Sequence, residues 1–419
     1  MALHKHPVHR LALLATLAAL AGCGVTKHLP GFGGDDSTTL GQADIAPSVF
    51  GYVVADEPQA ALAARQILNN GGNAADAAAA AGFAMAVTLP SRAGLGGGGA
   101  CILKMPAADG GAQPPVTLLF PAGAPAGSGG DRPAAVPSLA RGLLALQARY
   151  GTLPFASVIA PAERLAGGSP VSPALAADLQ IVGGALLADP VAASIFGAPG
   201  GGVLSAGANL VQPDLETTLE SLRTQGIDGF YSGSLSRQFI EGADQAGANL
   251  AASDLTTGLP VFGQPAITKF DGNTIAFIPN PPNDGNLPAS AGFEVLDKNG
   301  GVVACATSMN NLFGTGRVAA GTGVLLAASP RAVTPPLLTA GIAYKGDEFH
   351  AAVTGTGQVG ATDAVFDGLA NALHKTPAAE VPDPSRVNVI SCPGGMPGGE
   401  SSCLAYADPR GQGLATGGH

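Results

Sequence analysis

Apolar residues follow two different rhythms along this 419-residue chain. As far as about residue 255 they recur mainly at helical spacing, which predicts helices over 58–69, 74–87, 138–150, 154–165, 172–181, 214–225 and 234–245. Pro58 sits at a first helical position, and Asn70-Gly71-Gly72-Asn73 reads as a helix end and turn. A strand over 48–55 precedes these helices, and an apolar strand over 100–105 emerges from the run Gly94-Leu95-Gly96-Gly97-Gly98-Gly99. Beyond residue 255 shorter alternating runs take over, predicting strands over 266–269, 274–278, 293–296, 302–308, 323–326, 341–344 and 349–354. Asp297-Lys298-Asn299-Gly300-Gly301 separates two of them as a hairpin turn. A helix over 362–372 and a cysteine-bearing tail with a last strand over 402–406 complete the pattern. Helices followed by a strand-rich half describe sheets sheathed by helices, an α/β or α+β domain.

Composition sharpens one element. The chain is 46% hydrophobic but has no tryptophan and only 5% aromatic residues. Alanine and the 62 glycines supply the difference, so the backbone must be closely packed. The helix over 74–87 is nearly all alanine and offers little side-chain bulk, so it is stable only against neighbours on several sides. A net charge of −10 and the lack of an arginine stripe exclude a nucleic-acid footprint.

The first residues bear on location. His4, Lys5, His6, His9 and Arg10 precede an apolar run, 11–20, too short to span a membrane. The run ends in Leu20-Ala21-Gly22-Cys23, which resembles a bacterial lipoprotein signal in which Cys23 carries the lipid. A plain export signal with an incidental cysteine is the other reading. With Gly24 after the cysteine, the lipoprotein reading implies an outer-membrane anchor facing the periplasm. Residues 1–22 are then the signal and 23–46 a tether. Export permits disulfides: Cys392 and Cys403 flank a glycine-rich stretch and could be joined, while Cys101 and Cys305 read equally as buried thiols. No residue spacing suggests a metal site, and no cofactor is expected.

Gly71-Gly72-Asn73-Ala74-Ala75-Asp76-Ala77-Ala78, then Pro90 and the tetraglycine, resembles the opening signature of the γ-glutamyltranspeptidase family. Arg149-Tyr150-Gly151-Thr152-Leu153-Pro154, Gly226-Ile227-Asp228-Gly229-Phe230-Tyr231, Phe293-Glu294-Val295-Leu296-Asp297, Phe313-Gly314-Thr315-Gly316 and Ala407-Asp408-Pro409-Arg410 continue it in order. The resemblance covers roughly 47–410. It implies a four-layer αββα sandwich, built here from a heavy-chain-like half, 47–289, and a light-chain-like half, 290–419. It also implies an N-terminal nucleophile hydrolase: the precursor cuts itself, and the new N-terminal residue attacks an amide with its hydroxyl while its α-amino group acts as base.

Carried residue by residue, the resemblance puts the nucleophile at Ser290, so the scissile bond is Ala289–Ser290. Ser308 falls on the hydroxyl that orients the nucleophile, and Asn310 on the asparagine that contacts the substrate's α-amino group. Their spacing of two in a strand would turn both to one face. Gln358 and Val359 are the oxyanion candidates. Pro121 stands where the family has its substrate-carboxylate arginine, with Arg92 and Arg132 as possible substitutes. Ala327-Ala328-Ser329-Pro330 replaces the family's lid segment, and a long helical segment before the nucleophile is absent. The expected function is an amidohydrolase or acyltransferase acting on a γ-glutamyl or related acyl amide of a small peptide or amino acid. The alternative is an uncut, inactive envelope lipoprotein with a binding or structural role. Oligomeric state is left open.

Overall fold

The computed structural model describes residues 50–107, 113–127, 129–279, 289–357, 360–374 and 381–417. The leader, Cys23, the tether, Gln358 and Val359 lie outside the described residues.

The alanine helix, Ala74–Thr88, is buried along its whole length. Its start shows why the signature residues are needed. The Asn73 side chain accepts hydrogen bonds from the Ala75 and Asp76 amides, and the Asp76 carboxylate in turn accepts the Asn73 amide at 3.1 Å. Asp76 also receives the Thr152 amide at 2.9 Å and its hydroxyl at 2.8 Å, while Asn73 donates to the Tyr150 carbonyl at 2.6 Å. The Asn-Ala-Ala-Asp run therefore caps one helix and pins the end of another, Leu139–Tyr150. Small residues allow the close approach: a Cβ on Gly82 would come within 2.6 Å of Leu143.

Two antiparallel sheets are stacked against each other. The first runs in the order Leu414–Thr416, Gly51–Ala55, Ser290–Asp297, Val302–Ser308, Gly98–Lys104, Val116–Phe120, Val261–Gly263. The second runs Leu404–Ala407, Arg386–Met396, Glu348–Thr356, Thr339–Lys345, Asn273–Phe277, Ala266–Phe270. Strand alternation divides the apolar residues cleanly. Tyr52, Val54, Ile102 and Leu296 meet Ile342, Ala352 and Ile390 between the sheets. Val53, Leu103, Phe293 and Val295 face the helices of the first half. Val353, Val387 and Val389 face Val365 and Leu369 of the helix Ala361–Leu373. The result is the αββα sandwich, and both halves of the chain contribute strands to each sheet.

Some elements differ from the pattern reading. Strand Gly98–Lys104 begins inside the tetraglycine, where a Cβ on Gly98 would lie 2.2 Å from the Ala122 amide. The cysteine-bearing tail holds an eleven-residue strand, Arg386–Met396, inside the second sheet. Its Pro393-Gly394-Gly395 reads locally as loop, and its pairing to the neighbouring strand shifts register there. Leu414–Thr416 and Val116–Phe120 also escaped local pattern; pairing with neighbours makes them strands. Cys101 and Cys305 are directly opposed on adjacent strands and are joined, and Cys392 is joined to Cys403.

Candidate active site

The strand expected over 293–296 begins three residues earlier, at Ser290. Ser-Ala-Gly carries little strand propensity, but pairing with Val302–Ser308 persists through Ser308 opposite Ser290. Leu296 faces the second sheet, so alternation turns Glu294, Gly292 and Ser290 the same way. The space between the sheets is thus apolar around Leu296 and polar around Ser290. Ser290 is fully buried, and its Oγ has no hydrogen-bond partner among the described residues.

Ser308 donates its hydroxyl hydrogen to the Ala289 carbonyl at 2.7 Å and accepts the Asn310 amide at 2.8 Å. The carbonyl immediately before Ser290 is therefore polarised by a neighbouring hydroxyl. Asn310 reaches the site differently from the strand expectation. The strand ends at Ser308, and Asn310 adopts φ 63°, a left-handed conformation that asparagine tolerates. Its Nδ2 donates to the Ala122 carbonyl at 3.1 Å and the Ala328 carbonyl at 2.9 Å. Both hydrogens of that amide thus bind loops on either side of it.

The glycine run has a packing reason. The Gly97 carbonyl accepts the Ser138 and Leu139 amides, capping the helix Leu139–Tyr150, and a Cβ on Gly97 would come 2.4 Å from the Ser308 carbonyl. Glycine lets Ser308 and that helix press on the same turn.

Of the two proposed substitutes for the missing arginine, Arg92 is already committed. Arg92 is buried and bound to Asp178 through Nε at 2.8 Å and a second nitrogen at 2.6 Å, with the Ser91 hydroxyl on the same carboxylate. Its charge is neutralised in place. Arg132 is exposed, with its amide on the Gly247 carbonyl.

Two buried carboxyls near Ser290 were not singled out by the sequence. Asp56 accepts the Gly292 amide at 2.8 Å and the Asn388 side chain at 2.9 Å. Burial raises its pKa, opposed by those hydrogen bonds and by Arg92 and Arg386. Glu294 is fully buried; one oxygen accepts the Thr354 amide, and the other has no partner among the described residues. Desolvation pushes its pKa well above the usual carboxylate range, against the pull of its bonds to Thr354 and with a further push from Asp56. The signal that could have found it is a glutamate at an inward position of an apolar strand. Glu57, which caps the helix Pro58–Asn69 through the Ala60 amide at 2.7 Å, is pushed up to about 7 by burial.

His350 lies at the far end of its strand from Thr356, and His374 is exposed beside Asp271 and the Phe270 ring. Among the described residues no group of three His, Cys, Asp or Glu is placed to hold a metal, and no helix is long and apolar enough to cross a membrane.

A hydroxyl at the head of a central strand, between two antiparallel sheets with helices outside, is the architecture of the N-terminal nucleophile hydrolases. The chain belongs to the gamma-glutamyltranspeptidase family, whose sequence model matches residues 60–290, more than half its length. It is 30% identical over 274 residues to glutathione hydrolase 3 of Arabidopsis thaliana, covering 63% of this chain and 43% of that protein. It is 32% identical over 258 residues to the acylase ACY 1 proenzyme of Pseudomonas sp. (strain SE83), covering 56% of this chain and 46% of that one. The chain thus spans less than half the length of these relatives. In fold it resembles the cephalosporin acylase from Bacillus halodurans, with a TM-score of 0.71 at 19% identity, over 93% of this chain and 98% of that one.

Proposed function

We propose that the chain is a self-processing amidohydrolase or acyltransferase whose nucleophile is Ser290. The observation that carries this reading is the pairing of a buried, unpartnered Ser290 Oγ with an Ala289 carbonyl already held by Ser308. In self-cleavage the Oγ adds to the Ala289 carbonyl carbon, and the Ser308 hydroxyl stabilises the oxygen as it gains charge. The Ser290 nitrogen takes the proton and leaves, giving an ester. Water then hydrolyses the ester, releasing the Ala289 carboxylate and a free Ser290 amine. In turnover that amine accepts the Ser290 hydroxyl proton, the oxygen attacks the substrate amide, and the protonated leaving amine departs. Water or an amino acceptor releases the acyl group.

The substrate reading departs from a free γ-glutamyl group. With Pro121 in place of an arginine and Arg92 bound to Asp178, the expected contact to a γ-glutamyl carboxylate is weakened, while the two bonds donated by Asn310 Nδ2 leave its acceptor oxygen uncommitted by them. A related acyl amide fits better, in line with a relative named as an acylase. Cys23, by this reading, anchors the protein to the outer membrane, facing the periplasm. Gln358 and Val359 follow the strand Glu348–Thr356 and are the proposed oxyanion donors.

Denaturing electrophoresis of the purified chain under reducing conditions tests the central step. Two fragments are expected, with Ser290 as the new N-terminus by mass, and a single band for Ser290→Ala. A folded wild-type chain that never divides would leave the second reading, an uncut binding protein, which the pairing of Arg92 with Asp178 favours.

A further inference from the structure

Arg386 opens the strand Arg386–Met396, and its cross-strand partner is Thr356, the last residue of Glu348–Thr356. Asn388, Ile390 and Cys392 face the first sheet, as their contacts to Asp56 and to the inter-sheet cluster show, so alternation turns Arg386 the same way. Two close approaches fix its level along the sandwich. The Thr356 methyl lies 3.3 Å from where Gly292 would carry a Cβ. A Cβ on Gly411 would lie 3.6 Å from Asp56 Oδ1 and 3.7 Å from Arg386 Cδ. The arginine stem therefore passes beside Asp56, at the height of Gly292 and two residues from Ser290. The preceding Pro384 and Ser385 pack against Gly357, the first residue after the strand that ends at Thr356.

At this depth the guanidinium lacks a partner. It is half-buried, yet it makes no ion pair or hydrogen bond among the described residues. The carboxylates within electrostatic reach are all engaged elsewhere. Asp56 holds the Gly292 amide and Asn388, and Asp178 holds Arg92. Asp408 holds Arg410 at 2.6 Å and 2.9 Å. Arg92 adds repulsion. A partly desolvated cation without a partner is costly, and a guanidinium fork matches a carboxylate with two parallel hydrogen bonds.

We propose that Arg386 is an anion-binding residue of the Ser290 site, placed to take the carboxylate of a small acyl-amide ligand on the flank of Ser290 away from Asn310. The geometry supports opposite flanks: Ser308 and Asn310 follow the strand on one side of Ser290–Asp297, whereas Asp56 follows the strand on the other. The inference rests on the nucleophile reading for what reacts there, but the anion site itself does not require cleavage.

Calorimetric titration with glutarate, and with its uncharged diamide as control, tests the assignment. Wild type should bind glutarate with an affinity that falls as salt is added, and should bind the diamide far more weakly. Arg386→Gln should lose at least tenfold in glutarate affinity. Arg386→Lys keeps the charge without the fork, so it should bind more weakly than wild type with an unchanged melting temperature, which guards against a folding defect in the glutamine variant. Equal glutarate binding by wild type and folded Arg386→Gln would overturn the proposal, as would the absence of measurable binding by wild type at millimolar ligand. Arg386-dependent binding by a chain that never divides would uphold the anion site and reject the nucleophile.

Discussion

Ser290 and Ser308 occupy one cross-strand position, and the Ser308 hydroxyl donates to the carbonyl that immediately precedes Ser290. If Ser308 stabilises the carbonyl oxygen during self-cleavage, Ser308→Ala should slow the appearance of two fragments by about two to three orders of magnitude, roughly the effect of losing one oxyanion donor. Ser308→Thr, which keeps the hydroxyl, should restore most of the rate; equal rates in all three proteins would exclude that role. A second prediction concerns Glu57, whose pKa is raised from the ordinary 4.5 to about 7 because it is fully buried. The native state then holds this proton more tightly than the unfolded chain. Stability from this group is complete below about pH 4.5 and falls as pH rises towards 7, by an amount on the order of 3 kcal/mol. Urea midpoints at pH 5 and pH 7.5 should show that slope in wild type, and Glu57→Gln, which can still cap Ala60, should flatten it. Both serines were legible through family resemblance. Glu294 and Asp56 were not, because their chemistry comes from burial by strands distant in sequence.

Among the elements, the helix Ala74–Thr88 shows how a weak local signal becomes a firm structure. Alanine gives it propensity, but its position depends on Asn73 and Asp76 gripping the turn at Tyr150 and Thr152. Asn73→Ala removes the cap and the Tyr150 contact, and should cost about 1–2 kcal/mol in denaturant unfolding. The adjoining helix is held more tightly still. A Cβ on Gly142 would sit 2.1 Å from the Phe120 ring, so Gly142→Ala must displace a buried aromatic. An expected loss of about 1–3 kcal/mol follows from overpacking, checked by the same unfolding measurement. Helices with strong periodicity, such as Pro58–Asn69 and Pro213–Gln225, were readable to within a residue or so. Strands such as Arg386–Met396 were not, since glycine and proline in their sequence mark loops unless neighbours supply the pairing.

Across the whole molecule, each sheet draws on both halves of the chain, so cleavage before Ser290 would leave two fragments interleaved within one core. The disulfide Cys101–Cys305 spans 204 residues and joins strands from the two halves. It would therefore hold the fragments together covalently, and they should migrate apart on denaturing gels only after reduction. The Cys101→Ala/Cys305→Ala pair should separate without reductant. In the uncut chain the same variant should lose stability on the order of 5 kcal/mol by loop entropy, against about 3 kcal/mol for the eleven-residue span closed by Cys392 and Cys403.

By itself the amino-acid order determined the helices with clear periodicity, the turn between Asp297 and Gly301, the αββα class through its signature blocks, and the position of the candidate nucleophile. These are local properties, or patterns of residues whose spacing is sufficient to be recognised. Tertiary structure alone decided that Arg92 is neutralised, that Asn310 binds loops, that Cys101 meets Cys305, and that the Arg386 guanidinium has no partner among the described residues. Charge pairing and desolvation depend on which distant segments are folded together, and linear order does not carry those distances.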